Sequence, residues 1–259
     1  MTTILDYEKF LSIVPKPDIF SEKIPKLIFK TGKWELNDLP KEILNILIDL
    51  ENTNQFHKLI YFSDSDCIRF IEDFYPEHKT LYNKLIPTAY KADLFRYLLL
   101  FKYGGCYGDI TQIIDVPYNE LCCGYDRVLC RDSKSSKSYL YNAIMCCKPL
   151  DSVIAKTIEM CLDNINNNNY TDTPLGITGP KVLGTSFINI FKGSHKNNKI
   201  TLGENNNSLI LDFRNEDIYN DLKLQKVGKP KIKNHEKLLY DKDNIHYRFL
   251  WYDKNVFLV

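Results

Sequence analysis

One segment constrains this chain more than any other: Ala89–Tyr103, AYKADLFRYLLLFKY, followed at once by Gly104 and Gly105. It has the length and apolar content of a buried helix. The two glycines end it, because the left-handed conformation that follows a helix suits glycine. A helix apolar on nearly every side needs protein on every side. Within it stand Asp93 and Arg96, three residues apart and hence neighbours on one face. Two readings of that pair are open at this point. It is a surface ion pair worth roughly a few tenths of a kcal/mol, or it is a buried pair aimed at a polar ligand, since charges in apolar surroundings need partners.

Around this helix, short apolar runs alternate with helical periodicity. KLIFKTG (Lys26–Gly32) reads as a strand closed by a turn, and Ile43, Leu44, Leu47, Ile48 and Leu50 mark a helix from Pro40 to Leu50. HKLIYFSD (His57–Asp64) is a second strand, after which Ile68, Ile71 and Phe74 recur at helical spacing up to Pro76. RVLCRD (Arg127–Asp132) and YLYNAIMCC (Tyr139–Cys147) are further strands, and Val153, Ile154, Thr157, Ile158, Cys161 and Leu162 define a helix. This βαβα order predicts an α/β fold: a Rossmann-like, mainly parallel, doubly wound sheet flanked by helices. Its ligand crevice is expected beyond the carboxyl ends of the strands. The last sixty residues read as strands and loops, and no boundary divides the chain, so one domain is expected over residues 1–259.

Composition narrows the function classes. The 259 residues are 44% hydrophobic and 13% aromatic, which excludes disorder as the dominant state. Thirty-four Lys and Arg against 33 Asp and Glu leave a net charge of +1, so there is no bulk electrostatic reason to coat nucleic acid or an anionic membrane. No apolar run approaches the ~18 residues of a membrane span. Asp6, Glu8 and Lys9 stand where a signal peptide would carry its apolar region, so a cytoplasmic protein is expected. Eight cysteines are too sparse for a disulfide scaffold, and no CxxC or zinc-type spacing occurs. Buried, reduced thiols are the expectation.

The block KADLFRYLLLFKYGGCYGD (Lys91–Asp109) resembles the signature of glycosyltransferase family 32, the group that includes sugar transferases similar to the initiating α-1,6-mannosyltransferases. Three further matches fall in the family's order: IPKLIFKT (Ile24–Thr31), NAIMCCKP (Asn142–Pro149) and ITGPKVL (Ile177–Leu183). The resemblance runs from about Ile24 to Leu183, with a weaker tail at His246 and Trp251, where residues 244–259 are expected to complete the site. It implies a GT-A fold that binds a UDP- or GDP-sugar, usually with Mn²⁺ or Mg²⁺. A hexose-type sugar would pass to a glycan or other hydroxyl acceptor with retention of configuration. By position, Asp93 and Arg96 would hydrogen-bond the donor sugar hydroxyls, a carboxylate accepting and a guanidinium donating in a fixed fork. Asp109 matches the first Asp of the DxD motif, which faces the ribose and the metal-bound diphosphate. Thr31, Asn142 and Trp251 join the donor-binding set on the same basis, Trp34 joins it from its place just after the first strand, where it would border the base, and His246 joins Asp109 as a metal ligand.

The chain departs from the family pattern at Asp109-Ile110-Thr111, where Thr111 offers a neutral hydroxyl in place of the second carboxylate. Asp115 lies six residues beyond Asp109, too far to replace it without a rearranged turn. Lys181 or Arg248 would then serve as fixed positive charge on the diphosphate. Each assignment has a plainer counterpart. Trp34 and Trp251 are core aromatics, His246 a partly buried polar side chain, and Asn142 a strand-end residue satisfying a turn; Asp64 is a ligand-facing carboxylate closing the second strand or simply a helix N-cap, and Gly179-Pro180 a turn lining the acceptor cleft or a helix start. The departure at Thr111 keeps a second function open, an inactive homologue that binds a nucleotide-sugar or glycan without transfer. The lack of an N-terminal membrane helix is read as a sign of bacterial or large-virus origin.

Overall fold

A computed structural model of the chain describes residues 4–14, 23–191, 199–229 and 246–258. Asn244, Ile245 and Val259 of the expected closing segment lie outside the described residues. The chain opens with α1 (Tyr7–Ile13), β1 (Leu27–Gly32), α2 (Lys41–Thr53), β2 (Lys58–Ser63), α3 (Asp64–Phe74), α4 (Lys79–Lys84) and α5 (Thr88–Tyr103). Then follow β3 (Gly105–Gly108), β4 (Ile113–Ile114), α6 (Tyr118–Leu121), β5 (Arg127–Asp132), β6 (Leu140–Cys147), α7 (Ser152–Asn166) and α8 (Pro180–Ile190). Among the described residues, β7 (Gly203–Asn205), β8 (Ser208–Arg214), β9 (Asp217–Asn220), β10 (Gln225–Lys229) and α9 (Tyr247–Tyr252) complete the order.

The apolar runs are strands because both of their faces are buried. Alternate residues of β1, β2, β3, β5 and β6 enter two separate cores. Phe29, Ile60, Phe62, Tyr107, Leu129 and Met145 face one, and Ile28, Leu59, Tyr61, Cys106, Val128 and Cys146 face the other. The first core is closed by α1, α3, α5, α7 and α8, and the second by α2 and α6. Strand order is β2-β1-β3-β6-β5-β8-β9-β10-β4, with β7 beside β8. β1 pairs in parallel with both β2 and β3, and β5 in parallel with β8, while β6 runs antiparallel to both neighbours. All strands from β2 to β8 except β6 therefore point one way, and the sheet is mostly parallel there, as expected. Beyond β8 it turns into an antiparallel meander that brings β10 against β4.

Several local expectations resolve in detail. The N-cap of α3 is Ser63, not Asp64: its hydroxyl accepts from the Asp66 N–H, and the Asp66 carboxylate accepts from the Ser63 N–H. Gly179 caps α8 with Pro180 in its first turn. All eight cysteines are free thiols, but the expectation of burial fails at Cys123, which is exposed, and at Cys122, which is half-buried. Those two follow the short α6 at a surface turn. No helix among the described residues is long and apolar enough to cross a membrane.

The link that positions everything below is the Gly104–Gly105 turn. Both residues have positive φ, +62° and +93°, and the turn reverses the chain from α5 straight into β3. A Cβ on Gly105 would lie 2.8 Å from the Leu27 carbonyl oxygen, a backbone atom of the neighbouring strand that cannot swing away. Gly124 also has positive φ, +84°, but open space around it. Gly105→Ala is therefore expected to cost clearly more than Gly124→Ala, by over ~1 kcal/mol in urea denaturation. Equal losses in the two variants would show that backbone conformation alone, and not the approach of β1, demands the glycine.

Candidate functional site

On α5 Arg96 is buried and Asp93 is largely covered, their side chains 7% and 14% exposed, which settles the choice between the two sequence readings against a surface pair. Arg96 is held on every edge of its guanidinium. Nη1 donates to Asp109 Oδ1 at 2.9 Å and to the Asn142 carbonyl at 2.9 Å, and Nε donates to the Ala92 carbonyl at 3.1 Å. Nη2 lies 3.4 Å from Asp93 Oδ1, and the Tyr107 ring lies beneath the plane, 4.6 Å away. Asp93 is ringed in turn. Oδ1 accepts from Asn142 Nδ2 at 2.8 Å, and Oδ2 from the Thr178 hydroxyl at 3.1 Å. Burial pushes the Asp93 carboxyl up in pKa, while Arg96, Asn142 and Thr178 pull the other way. Asn142 also donates to the Tyr97 hydroxyl at 2.9 Å.

Asp109 follows β3 directly and is the open member of this network, with a side chain 33% exposed. Its Oδ1 accepts from Arg96 and, at 3.4 Å, from the Tyr107 hydroxyl. Oδ2 makes no hydrogen bond among the described residues. The Tyr107 hydroxyl also meets Thr31 Oγ1 at 2.9 Å, so the end of β1 is tied into the same cluster. Five of the expected residues, Thr31, Asp93, Arg96, Asp109 and Asn142, thus form one connected hydrogen-bonded unit.

Sequence reasoning passed over Lys30, Tyr97, Tyr107, Gln112 and Thr178. Lys30 is fully buried, with Nζ donating to the carbonyls of Asp109 at 2.8 Å and Gln112 at 3.3 Å. Burial lowers its pKa to about 7, against the pull of Asp109. With the Gln112 N–H donating to the Asp109 carbonyl at 2.9 Å, these bonds close a tight turn over residues 109–112. A Cβ on Gly108 would come within 2.3 Å of Gln112 Oε1, so glycine is what admits the Gln112 side chain. Its amide is buried without a partner among the described residues. The available signal was a lysine in the middle of an apolar strand, which needs a reason to be there.

The other expected residues lie elsewhere. Thr111 is 1% exposed inside the turn, so its hydroxyl does not face an open cleft. Trp34 is half-buried against the second core, and its carbonyl accepts from the Tyr61 hydroxyl at 2.7 Å. His246 caps α9, its Nδ1 accepting from the Arg248 N–H at 3.3 Å, and stacks on Tyr247, which packs against Tyr90 of α5. Trp251 packs against the first core, its Nε1 buried without a partner among the described residues. Lys181 pairs with Asp172.

A hard dication needs several oxygen ligands. Around Asp109 the protein offers one unengaged carboxylate oxygen, Thr111 is turned inward, and Asp115 is exposed beyond β4. Among the described residues no group of three carboxylate or imidazole ligands converges here. This donor set does not form a protein-held Mn²⁺ or Mg²⁺ site by itself.

The chain matches the model of a glycosyltransferase sugar-binding region containing a DXD motif over residues 40–126, a stretch that includes Asp93, Arg96 and Asp109 and is narrower than the Ile24–Leu183 resemblance. It is 31% identical over 120 residues to an initiation-specific alpha-1,6-mannosyltransferase of Candida albicans, which covers 44% of this chain and 31% of that protein. It is 30% identical over 90 residues to inositol phosphoceramide mannosyltransferase 3 of Schizosaccharomyces pombe, covering 35% of this chain and 25% of that one. The chain thus spans about a third or less of these curated relatives. Among solved structures, the PaToxG glycosyltransferase superposes with a TM-score of 0.50 at 16% identity, over 67% of this chain and 71% of that one, a likeness of fold.

Lys30 supplies a test of this geometry. A lysine whose folded pKa is near 7 rather than 10.5 is neutral in the native state while the unfolded chain still binds the proton. Stability should therefore rise with pH between about 7 and 10, by at most about 1.4 kcal/mol per pH unit from this group. Lys30→Met should remove that component. Parallel denaturation curves for parent and variant at pH 6.5, 8 and 9.5 would instead show a solvated amine.

Proposed function

We propose that this chain, which matches a glycosyltransferase sugar-binding region over residues 40–126, is a GT-A-like glycosyltransferase that moves a hexose-type sugar from a UDP- or GDP-sugar to a hydroxyl acceptor with retention of configuration. The observation that carries this reading is the Arg96 guanidinium, fixed between Asp93 and Asp109 with one Asp109 oxygen left for a ligand. A sugar presents hydroxyls that both donate and accept. The open Asp109 oxygen is an acceptor for such a hydroxyl, and because Arg96 already holds that carboxylate in place, little reorganisation is needed on binding.

Each residue then has a role. Asp109 accepts from a hydroxyl of the donor through Oδ2, and Arg96 holds that carboxylate in place. Asp93 and Asn142 keep the Arg96 fork oriented, and Lys30 fixes the turn that aims Asp109. In retaining transfer the acceptor attacks the face that the diphosphate leaves. The departing phosphate oxygen takes the acceptor's proton, so no protein nucleophile is required. The mannosyl transfer in the names of the two fungal relatives favours mannose as the sugar to test first.

The test is release of free UDP or GDP from a panel of nucleotide-sugars, GDP-mannose included. Asp93→Asn and Arg96→Lys should each lower the rate roughly 10- to 100-fold, the equivalent of one lost charge-assisted bond, with the fold retained by circular dichroism. Rates within threefold of the parent would reduce the pair to a structural brace. Parent protein that binds a nucleotide-sugar but releases no nucleotide would establish the inactive homologue instead.

The single open carboxylate oxygen sets a further expectation. Mn²⁺ should bind the nucleotide-free protein barely at all, and at least tenfold more tightly once UDP or GDP brings its own phosphate oxygens. Calorimetric titration reads both arms. Tight Mn²⁺ binding without nucleotide would reveal an oxygen ligand set outside the Arg96 cluster.

A further inference from the structure

On the opposite face of β3 and β6 from Arg96, three cysteines distant in sequence converge. Cys106 of β3 and Cys146 of β6 stand directly opposite each other in the antiparallel register. Cys122, at the C-cap of α6, folds over them. The Cys106 and Cys122 sulfurs are 3.7 Å apart, and all three sulfurs lie within 4.8 Å of one another. Among the described residues this is the one convergence of three soft or charged metal-ligand side chains.

We propose that Cys106, Cys122 and Cys146 bind a thiophilic d¹⁰ cation, Zn²⁺ or Cu⁺, as a structural site distinct from the Arg96 cluster. Geometry supports it first. Zinc–sulfur bonds of about 2.3 Å at tetrahedral angles place sulfurs about 3.8 Å apart, so the pair at 3.7 Å needs no movement to share an ion. The spread to 4.8 Å asks for a small closure of the third thiol. Cys122 is half-buried and Cys106 and Cys146 are buried, so the site has an entry side and dry walls.

The second observation is independent of the sulfurs. Tyr118, on α6, is fully buried, and its hydroxyl has no hydrogen-bond partner among the described residues. The ionisable groups acting on this phenol are Cys146, Cys106 and Cys122. An orphaned buried hydroxyl is costly, and a neutral thiol is a poor acceptor for it. Metal binding changes that. Each thiol gives its proton to solvent, the ion sheds its waters, and three thiolates around a dication leave one net negative charge beside the Tyr118 O–H. The hydroxyl would then have anionic sulfur, a stronger acceptor than a neutral thiol, in its surroundings.

The consequence reaches the functional site. Cys106 and Cys122 bracket the stretch that holds Asp109 and the 109–112 turn, and an ion joining them through β6 closes that stretch into a loop anchored at both ends. Loading should therefore stiffen the Asp109 turn and raise the melting temperature.

The experiment uses the full chain, purified under reducing conditions and stripped of metal with a chelator. Zn²⁺, Cu⁺ and Mn²⁺ are added separately, and bound metal is read by elemental analysis after desalting. About one equivalent of Zn²⁺ or of Cu⁺, retained together with a higher melting temperature, is expected, with no retention of Mn²⁺. Co²⁺ in place of Zn²⁺ should give a thiolate-to-cobalt charge-transfer band. Cys122→Ser, a change at the half-buried ligand, should lose both metal and band, whereas Cys123→Ser at the exposed neighbour should keep them. Should Cys122→Ser fail to fold, the cobalt spectrum of the parent and its metal stoichiometry decide alone. Absence of the charge-transfer band, retention of neither soft ion, or equal retention in Cys122→Ser would overturn the proposal and leave three packed thiols.

Discussion

A guanidinium in a nearly dry setting must be matched on every edge, and the Arg96 side chain is. Its charge faces Asp93 and Asp109, its remaining donors go to two backbone carbonyls, and its face lies on Tyr107. Removing one partner from such an arrangement typically costs ~3–5 kcal/mol, because the remaining charge stays buried. Much of the architecture exists to satisfy this one group. The carbonyl of Asn142 reaches it because β6 runs beside β3, and Asp109 reaches it because the Gly104–Gly105 turn sends the chain from the end of α5 directly into β3.

The reversed strand matters for the same reason. Were β6 parallel to β3, Asn142 would lie at the other end of the strand pair, away from Asp93. Antiparallel pairing of Gly108 with Ile144 continues through the bond from the Asp109 N–H to the Ala143 carbonyl, which leaves Asn142 one step beyond, facing α5. Thr178, just ahead of α8, closes the far side of Asp93. The open edge of the cluster is then Asp109 alone. A site of this form is rigid where it meets the core and accessible at a single carboxylate, which suits recognition of a polar ligand more than storage of a bare ion.

The turn after β3 is stitched from both sides of the sheet. On one face Arg96 holds the Asp109 carboxylate, and on the other, the face of Ile28 and Cys106, Lys30 holds the carbonyls of Asp109 and Gln112 while Cys106 leads to the thiol cluster with Cys122 and Cys146. Neither feature has a signature in residue spacing. Lys30 lies in β1, 79 positions before its main acceptor, and the three cysteines come from three elements. Cysteine spacing in the chain argued against a metal site, because zinc-type spacing describes ligands on one local loop and not on neighbouring strands.

Local periodicity by itself determined the helix at Ala89–Tyr103, the apolar strands, the glycine turn and the adjacency of Asp93 and Arg96, because those depend on contacts within a few residues. It determined that the pair sat in apolar surroundings, but not that the pair was covered. Only the tertiary structure decided that, along with the direction of β6, the inward turn of Thr111, the meeting of Tyr107, Asn142 and Thr178 around two carboxylates, and the reach of Lys30 to the carbonyls of the 109–112 turn. An apolar run carries no mark of the direction in which it will pair, and a polar side chain finds its partner through strand order and register. Those are set by how two cores close on the two faces of one sheet, and no short stretch of chain contains that information.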